Sequence, residues 1–244
     1  DNVTVHASKS GGYLDGNASE TNLFKLTTPP ELTDPYVDPY NGPWGKEHNF
    51  TVLVTAGDDT RTVYVELWIK CPGCSDPAVQ NYFKVGSTQQ CTGCTNQLMW
   101  WTYNFTCDDI SIWFFKFNLT SNDDYTATSD ENYTTLRADY VAIEFISGNQ
   151  STATFTTPAK FVVRVKDLDI GSSNLKTPMD VAFNITTGGV GTGTWKEGPD
   201  SPNATNQSGY AIYYFLPPQT CEWGAGWQEW KAYTDQGESC YQFN

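Results

Sequence analysis

The stretch Arg61-Thr-Val-Tyr-Val-Glu-Leu-Trp-Ile-Lys70 alternates apolar and polar side chains along its whole length. Successive side chains of a strand point to opposite faces, so this period of two predicts a half-buried β-strand. The residues on its apolar face are Val63, Val65, Leu67 and Ile69. The same period recurs at 49–55 and 159–166, turn residues separate such runs, and no long segment has a helical period. The sequence therefore predicts an all-β protein, because short strands at this spacing are typical of β-sandwiches.

The charge balance limits the classes of partner that this chain can bind. The chain has 244 residues, only 14 Lys and Arg, and a net charge of −14. Nucleic acid is therefore excluded as a partner, since phosphate neutralisation supplies most of that affinity. We also expect no membrane span, because no apolar stretch reaches the roughly 20 residues that a spanning helix needs. The chain opens at Asp1 without a signal peptide, and we expect a precursor that has already been trimmed.

N-glycosylation sequons are unusually frequent. Ten of the seventeen Asn residues stand in Asn-x-Ser/Thr, more than the Ser and Thr content explains. These are Asn2, Asn17, Asn49, Asn104, Asn118, Asn132, Asn149, Asn184, Asn203 and Asn206. In the strand periods, Asn2, Asn49, Asn104 and Asn184 fall opposite the apolar face, where a glycan needs to be. We predict a heavily N-glycosylated extracellular or cell-surface protein; the alternative is a Thr- and Asn-rich β-protein with unused sequons.

Two Cys-x-x-Cys motifs form the sharpest chemical pattern. Cys71-Pro-Gly-Cys74 and Cys91-Thr-Gly-Cys94 are separated by 16 residues, a spacing also found in zinc ribbons. An extracellular location favours disulfides over zinc. The spacing leaves all three pairings of these four cysteines open.

Three further cysteines complete the set of seven. Cys221 and Cys240 bracket the last Trp-rich segment, and we expect them to form a disulfide. Cys107 is then left over, and we expect it to be a buried free thiol.

A polar, acidic run at 121–132 suggests a domain boundary because it carries no apolar pattern. We expect an extended N-terminal segment at 1–28, a β-domain at 29–122, a linker at 123–136 and a second β-domain at 137–244.

The strand candidates resemble a known class of repeat. Pro30-Glu-Leu-Thr-Asp-Pro-Tyr-Val-Asp-Pro-Tyr-Asn-Gly42, followed by the periods at 50–55 and 63–69, is similar to the opening of Ig-like repeats in archaeal and bacterial extracellular proteins. Residues 161–167, 181–185 and 205–215 resemble a second repeat. This resemblance implies two Ig-like β-sandwich domains of a surface glycoprotein that serves as a stalk, adhesin, coat or filament subunit. It implies no catalytic residues.

The sequence offers little for catalysis. The only histidines are His6 and His48, and no hydrolase, zinc-protease or nucleotide motif occurs. We therefore expect no enzyme and assign no catalytic residue. A secreted glycosidase is the third alternative, because Glu66, Glu144 and Glu229 supply carboxylates.

We assign no metal ligands and no cofactor, although acidic loops leave Ca²⁺ open. The Ca²⁺ candidates are Asp58-Asp59, Asp123-Asp124, Asp130-Glu131 and Asp167-Leu-Asp169. The last begins like an EF-hand loop, but its glycine comes one position early and Pro178 stands where the loop needs Glu.

Two assembly modes remain. The main hypothesis is a structural subunit that polymerises with itself into a filament or coat, with Val3 and Val5 on a strand donated to a neighbouring sheet. The alternative is a carbohydrate-binding or adhesive module that uses Trp223, Trp227, Trp230 and Tyr233. Part of that aromatic cluster is expected to be core, because Trp230 has the opposite phase to Trp227 and Tyr233.

Overall fold

The computed structural model describes residues 27–171, 175, 177–191, 193–220, 222–234 and 240–243. These residues contain strands and two short 3-10 helices, Pro77–Val79 and Cys107–Asp109, but no α-helix. None of them forms a helix with the length and hydropathy needed to cross a bilayer. The all-β prediction is confirmed. The donated strand with Val3 and Val5 lies outside the described residues, as do Asn2 and Asn17.

The first unit comprises nine strands. They are β1 Glu31–Asp38, β2 Asn41–Pro43, β3 Glu47–Thr55, β4 Thr62–Lys70, β5 Phe83–Thr92, β6 Gln97–Asn104, β7 Ile112–Ser121, β8 Thr126–Thr128 and β9 Asn132–Arg137. One sheet has the order β1-β3-β6, and the other has the order β2-β9-β7-β4-β5 with β8 beside β7. The inward side chains of both sheets share one core, in which Phe50, Trp113, Phe115 and Phe117 are fully buried. The alternation at 61–70 is confirmed, because β4 buries Val63, Val65, Leu67 and Ile69.

The second unit comprises the other eight strands. They are β10 Asp139–Ser147, β11 Ala159–Asp167, β12 Asp180–Thr186, β13 Trp195–Glu197, β14 Asn203–Ala204, β15 Tyr210–Phe215, β16 Trp230–Tyr233 and β17 Tyr241–Phe243. One sheet has the order β15-β11-β10-β17; the other contains β13-β12-β14 with β16 also beside β12. Their shared core is rich in stacked rings, among them Phe183 and Tyr213, whose centroids lie 5.0 Å apart.

The expected linker at 123–136 is wrong. Residues 126–128 form β8 on β7, and residues 132–137 form β9 between β7 and β2. The polar composition of this segment does not reveal its strands, because the segment adds to an existing sheet through its backbone. It buries only a few of its side chains, such as Thr134 and Leu136. Asp123 is held by an ion pair with the buried guanidinium of Arg61 at 2.9 Å.

Packing, a disulfide and an ion pair all join the two units. Trp44, in the turn between β2 and β3, packs into the core of the second unit, and its Nε1 donates to the Cys240 carbonyl oxygen at 2.8 Å. A disulfide links Cys107 of the first unit to Cys240. Arg137 forms an ion pair with Asp169 at 2.6 Å. The second unit is therefore anchored to the first by packing, by a covalent bond and by charge.

Candidate functional site

A cleft of about 840 Å³ opens in the second unit. It lies between the turn that follows β10 (148–155), the beginning of β11 and the segment 223–230 that leads into β16. This volume falls within the range of about 300–1,000 Å³ that is usual for ligand pockets. We call this feature the aromatic cleft, because seven of its lining residues are aromatic. They are Phe155, Phe161, Trp195, Phe215, Trp223, Trp227 and Trp230.

The floor of the aromatic cleft is an extension of the hydrophobic core. Trp230 stacks on Phe161 with centroids 4.6 Å apart and planes 19° apart. Its position is fixed because β16 pairs with β12, with Trp230 opposite Ile185. Trp223 meets Phe215 edge to face at 5.4 Å. These contacts fix the positions of the floor side chains in the structure.

The rim of the aromatic cleft carries rings that face water. Trp227 is 71% exposed, more than any other large hydrophobic side chain in the part of the chain that the structure describes. Phe155 and Trp195 are exposed as well. Apolar side chains grouped around a concavity and left in water usually mark a binding surface.

Polar groups stand among the rings. Gln228 is held in place: its amide nitrogen donates to the Gly224 carbonyl at 2.8 Å, and its amide oxygen accepts from the Thr186 hydroxyl at 3.0 Å. Glu229 accepts from the backbone N–H of Gly191 at 3.3 Å and is the one carboxylate among the described lining residues. Asn149 and Gln150 line the cleft from the turn after β10.

Sequence reasoning found half of this site. It identified the cluster 223–233, and the structure divides that cluster as the phases indicated: Trp230 packs inward, whereas Trp227 and Tyr233 are exposed. It missed Phe155 and Trp195, and it did not connect Asn149 with the cluster. These residues come from distant parts of the chain, and no local pattern signals that they meet.

The two Cys-x-x-Cys motifs each close on themselves, as Cys71–Cys74 and Cys91–Cys94. In the β4–β5 hairpin, Cys91 lies opposite Val63, eight residues before Cys71 (63 to 71). At about 3.3 Å per strand residue the motifs are roughly 25 Å apart. Four thiolates at this separation cannot share one zinc ion, whose bonds to sulfur are about 2.3 Å long.

The prediction for the remaining cysteines is corrected. Cys240 pairs with Cys107 instead of Cys221, so Cys107 is not a free thiol. The partners are 133 residues apart, and the junction between the two units brings them together. Cys221 lies outside the described residues. The three disulfides are typical of proteins from oxidising compartments.

The eight sequons within the described residues all avoid the buried class. Asn104, Asn149 and Asn206 are exposed; Asn49, Asn118, Asn132, Asn184 and Asn203 are half-buried. Asn184 is the most confined of these asparagines. It lies on β12, between β13 and β16, and its side-chain oxygen is buried and has no hydrogen-bond partner. N-glycosylation itself stays a prediction.

The acidic Ca²⁺ candidates have partners from the protein. Asp58 accepts from the backbone N–H of Thr60, Asp123 pairs with Arg61, Glu131 pairs with Lys70, and Asp169 pairs with Arg137. Within the part of the chain that the structure describes, no group of three acidic, His or Cys side chains is placed to hold a metal ion.

One buried acid pair stands beside the junction. Asp139 and Asp167 are both buried, and each has a side-chain oxygen, Oδ2, with no other hydrogen-bond partner. Burial, followed by the hydrogen bond with Asp167 and repulsion from it, raises the pKa of Asp139 to about 7. Because two adjacent buried carboxylates ionise together only at a high cost in free energy, this setting favours the protonated form of Asp139.

The residues considered for catalysis do not converge. Glu66 pairs with Lys84 in the first unit, and Glu144 pairs with Lys166 on β10 and β11. Only Glu229 lines the aromatic cleft. His48 is buried beneath Phe105, and burial lowers its pKa.

No protein-family model matches the sequence, and no curated protein matches it. The solved structures that are distantly similar to this chain include the following two. The sporulation control protein Spo0M from Bacillus subtilis has 12% identity and a TM-score of 0.33, over 56% of this chain and 67% of that one. Red sea bream transglutaminase has 12% identity and a TM-score of 0.36, over 89% of this chain and 31% of that one. The similarity is one of β-rich architecture and assigns no family.

Proposed function

We propose that this chain is an extracellular surface protein whose second unit binds neutral carbohydrate in the aromatic cleft. The observation that carries the proposal is Trp227, exposed at the rim of a cleft whose floor is made of fixed rings. Sugar rings are amphipathic: their C–H faces pack on aromatic planes, and their hydroxyl edges bond to amides and carboxylates. The cleft presents both kinds of group.

The electrostatics favour neutral sugars. The chain carries a net charge of −14, and the cleft adds Glu229 and no basic residue among its described lining residues. An anionic polysaccharide would be repelled by this field.

Part of the same proposal is that each unit is an Ig-like sandwich, since two sheets enclose each core.

The test is a fluorescence titration of the full chain with chitin, mannan and β-glucan oligosaccharides. Trp227→Ala should weaken binding of the best ligand about tenfold, because loss of an aromatic hot spot typically removes more than 1 kcal/mol. Trp100→Ala is the matched control, since Trp100 is 57% exposed on β6 of the first unit, away from the cleft. Equal losses in both variants, or no response to any oligosaccharide, would contradict the proposal.

A second candidate function is a self-assembling structural subunit of a filament or coat. It is favoured by the outer face of the three-stranded sheet, where β6 is an edge strand. On this face, Thr51 of β3 lies between two exposed side chains, Tyr36 of β1 and Trp100 of β6. Leu98 of β6 is also exposed and lies opposite Leu53 of β3. An apolar face beside a sheet edge suits a second copy of this chain, because both strand pairing and apolar burial are then satisfied.

Negative-stain microscopy of native material tests this second function. Polymers that persist in Tyr214→Lys, on the second unit, but dissociate in Leu98→Lys/Trp100→Lys would support it. Deleting residues 1–20 tests the donated strand separately. Discrete single particles in the unmodified protein would exclude the filament.

A further inference from the structure

The turn that follows β10 brings a glycosylation sequon into the aromatic cleft. All three residues of that sequon, Asn149, Gln150 and Ser151, line the cleft. Asn149 itself is exposed, so its Nδ2 is accessible to modification. Among the other seven sequons within the described ranges, one contributes a lining residue, Ile185 of Asn184-Ile-Thr186, but none contributes its asparagine.

The turn is held tightly against the floor. Gly148 has a φ of +128°, and a Cβ built there would lie 2.7 Å from Phe161 and 3.1 Å from Trp230. Only glycine permits this approach of the backbone to the rings. Gln150 also has a positive φ, +58°. Asn149 therefore follows directly after a residue that is packed against the stacked rings, and it lines the same cleft.

We infer that the N-linked oligosaccharide on Asn149 lies in the aromatic cleft of the same molecule and covers it against free sugars. The inference rests on the proposed carbohydrate binding. In the modification, a lipid-phosphate-linked oligosaccharide is the donor: its C1–O bond to phosphate breaks, Nδ2 forms a bond to C1, and the amide loses a proton. The attached chain then starts at a residue that lines the same cleft as the rings that would hold it.

Tethering makes even weak stacking effective. A ligand on a short tether has an effective concentration in the millimolar range. Protein–sugar contacts of submillimolar affinity are then mostly satisfied within the molecule, and a free oligosaccharide has to compete with the tethered one. Apparent affinity for free ligand falls by the fraction of clefts that are open.

The experiment uses the full chain from a glycosylating host, with occupancy of Asn149 measured by mass spectrometry. The probe is the oligosaccharide released from the purified protein itself, titrated by tryptophan fluorescence. Asn149→Gln should bind this probe on the order of tenfold more tightly than the unmodified sequence, as expected from the tether. Ser151→Ala should do the same, because it removes the sequon and keeps the asparagine.

The matched control is Asn206→Gln, which removes an exposed sequon in the β14–β15 turn outside the cleft and should leave affinity unchanged. Equal probe affinity in all variants, or an unmodified Asn149, would overturn the inference while leaving the proposed function intact if oligosaccharides still bind. Failure of every variant to bind any oligosaccharide would overturn both.

Discussion

The core of the first unit is built entirely from side chains of strands β1 to β9 and their turns, whereas the core of the second unit also contains Trp44 from the first. The disulfides differ in the same way. Those of the first unit join residues three apart, but the bond that secures the second unit joins residues 133 apart. The first unit is thus self-contained, and the second depends on its neighbour. The unit with the borrowed core is also the one with the aromatic cleft.

Trp44→Ala is expected to destabilise the second unit more than any other substitution considered below. Trp44 is buried, packs edge to face with Tyr241 at 6.0 Å and donates to the Cys240 carbonyl. We expect a loss of about 3–5 kcal/mol, as for other buried Trp or Phe truncations. The loss should appear in the unfolding transition of the second unit, followed by urea denaturation and circular dichroism.

Trp100→Ala serves as the control, and it should change stability by less than about 0.5 kcal/mol because the side chain is exposed. A uniform loss across both units after Trp44→Ala would show that the first core is not self-contained.

The next effect comes from the long-range disulfide. Cys107→Ser with Cys240→Ser should destabilise the second unit by about 2–4 kcal/mol, since a cross-link over a long loop removes much unfolded-state entropy. The Cys71–Cys74 disulfide closes a loop of only four residues. Its removal by Cys71→Ser with Cys74→Ser should therefore have a smaller effect in the same denaturation assay. Equal effects of the two pairs would argue that the Cys107–Cys240 bond does not anchor the second unit.

The smallest expected effect is a dependence on pH. Asp139 has a raised pKa in the folded protein, about 7, against about 3.9 when unfolded. The folded state therefore binds more protons between these values, and stability falls as pH rises through that window. Asp139→Asn should flatten this decline, measured as the free energy of unfolding from pH 4 to pH 8.

Asp123→Asn provides a control of opposite sign. Its hydrogen bond from Ser121, followed by its contacts with Arg61, lowers the pKa of Asp123, so its contribution is lost as pH falls. An unchanged pH profile after Asp139→Asn would mean that the pKa of Asp139 is not raised in the folded protein.

The strands could be predicted wherever the alternation is local, as in 61–70, because period two needs no knowledge of the partner strand. The segment 121–132 could not, because it pairs with an existing sheet through its backbone and buries few apolar side chains. The Cys107–Cys240 bond and the aromatic cleft could not be predicted from the sequence for another reason. Both are products of how distant segments meet, and Trp195 or Gly148 carries no sign of its partners.

The separation of Cys107 from Cys240 has a consequence for the order of events during synthesis. Translation at about 5–20 residues per second completes the first unit well before Cys240 is made. With a sequence separation of 133 residues, the Cys107 thiol precedes the synthesis of Cys240 by roughly 7–27 s. Cys221 emerges first and competes for that thiol. The final pairing of Cys107 therefore depends on a late choice between two cysteines, and thiol–disulfide exchange is the reaction that can correct a wrong pair.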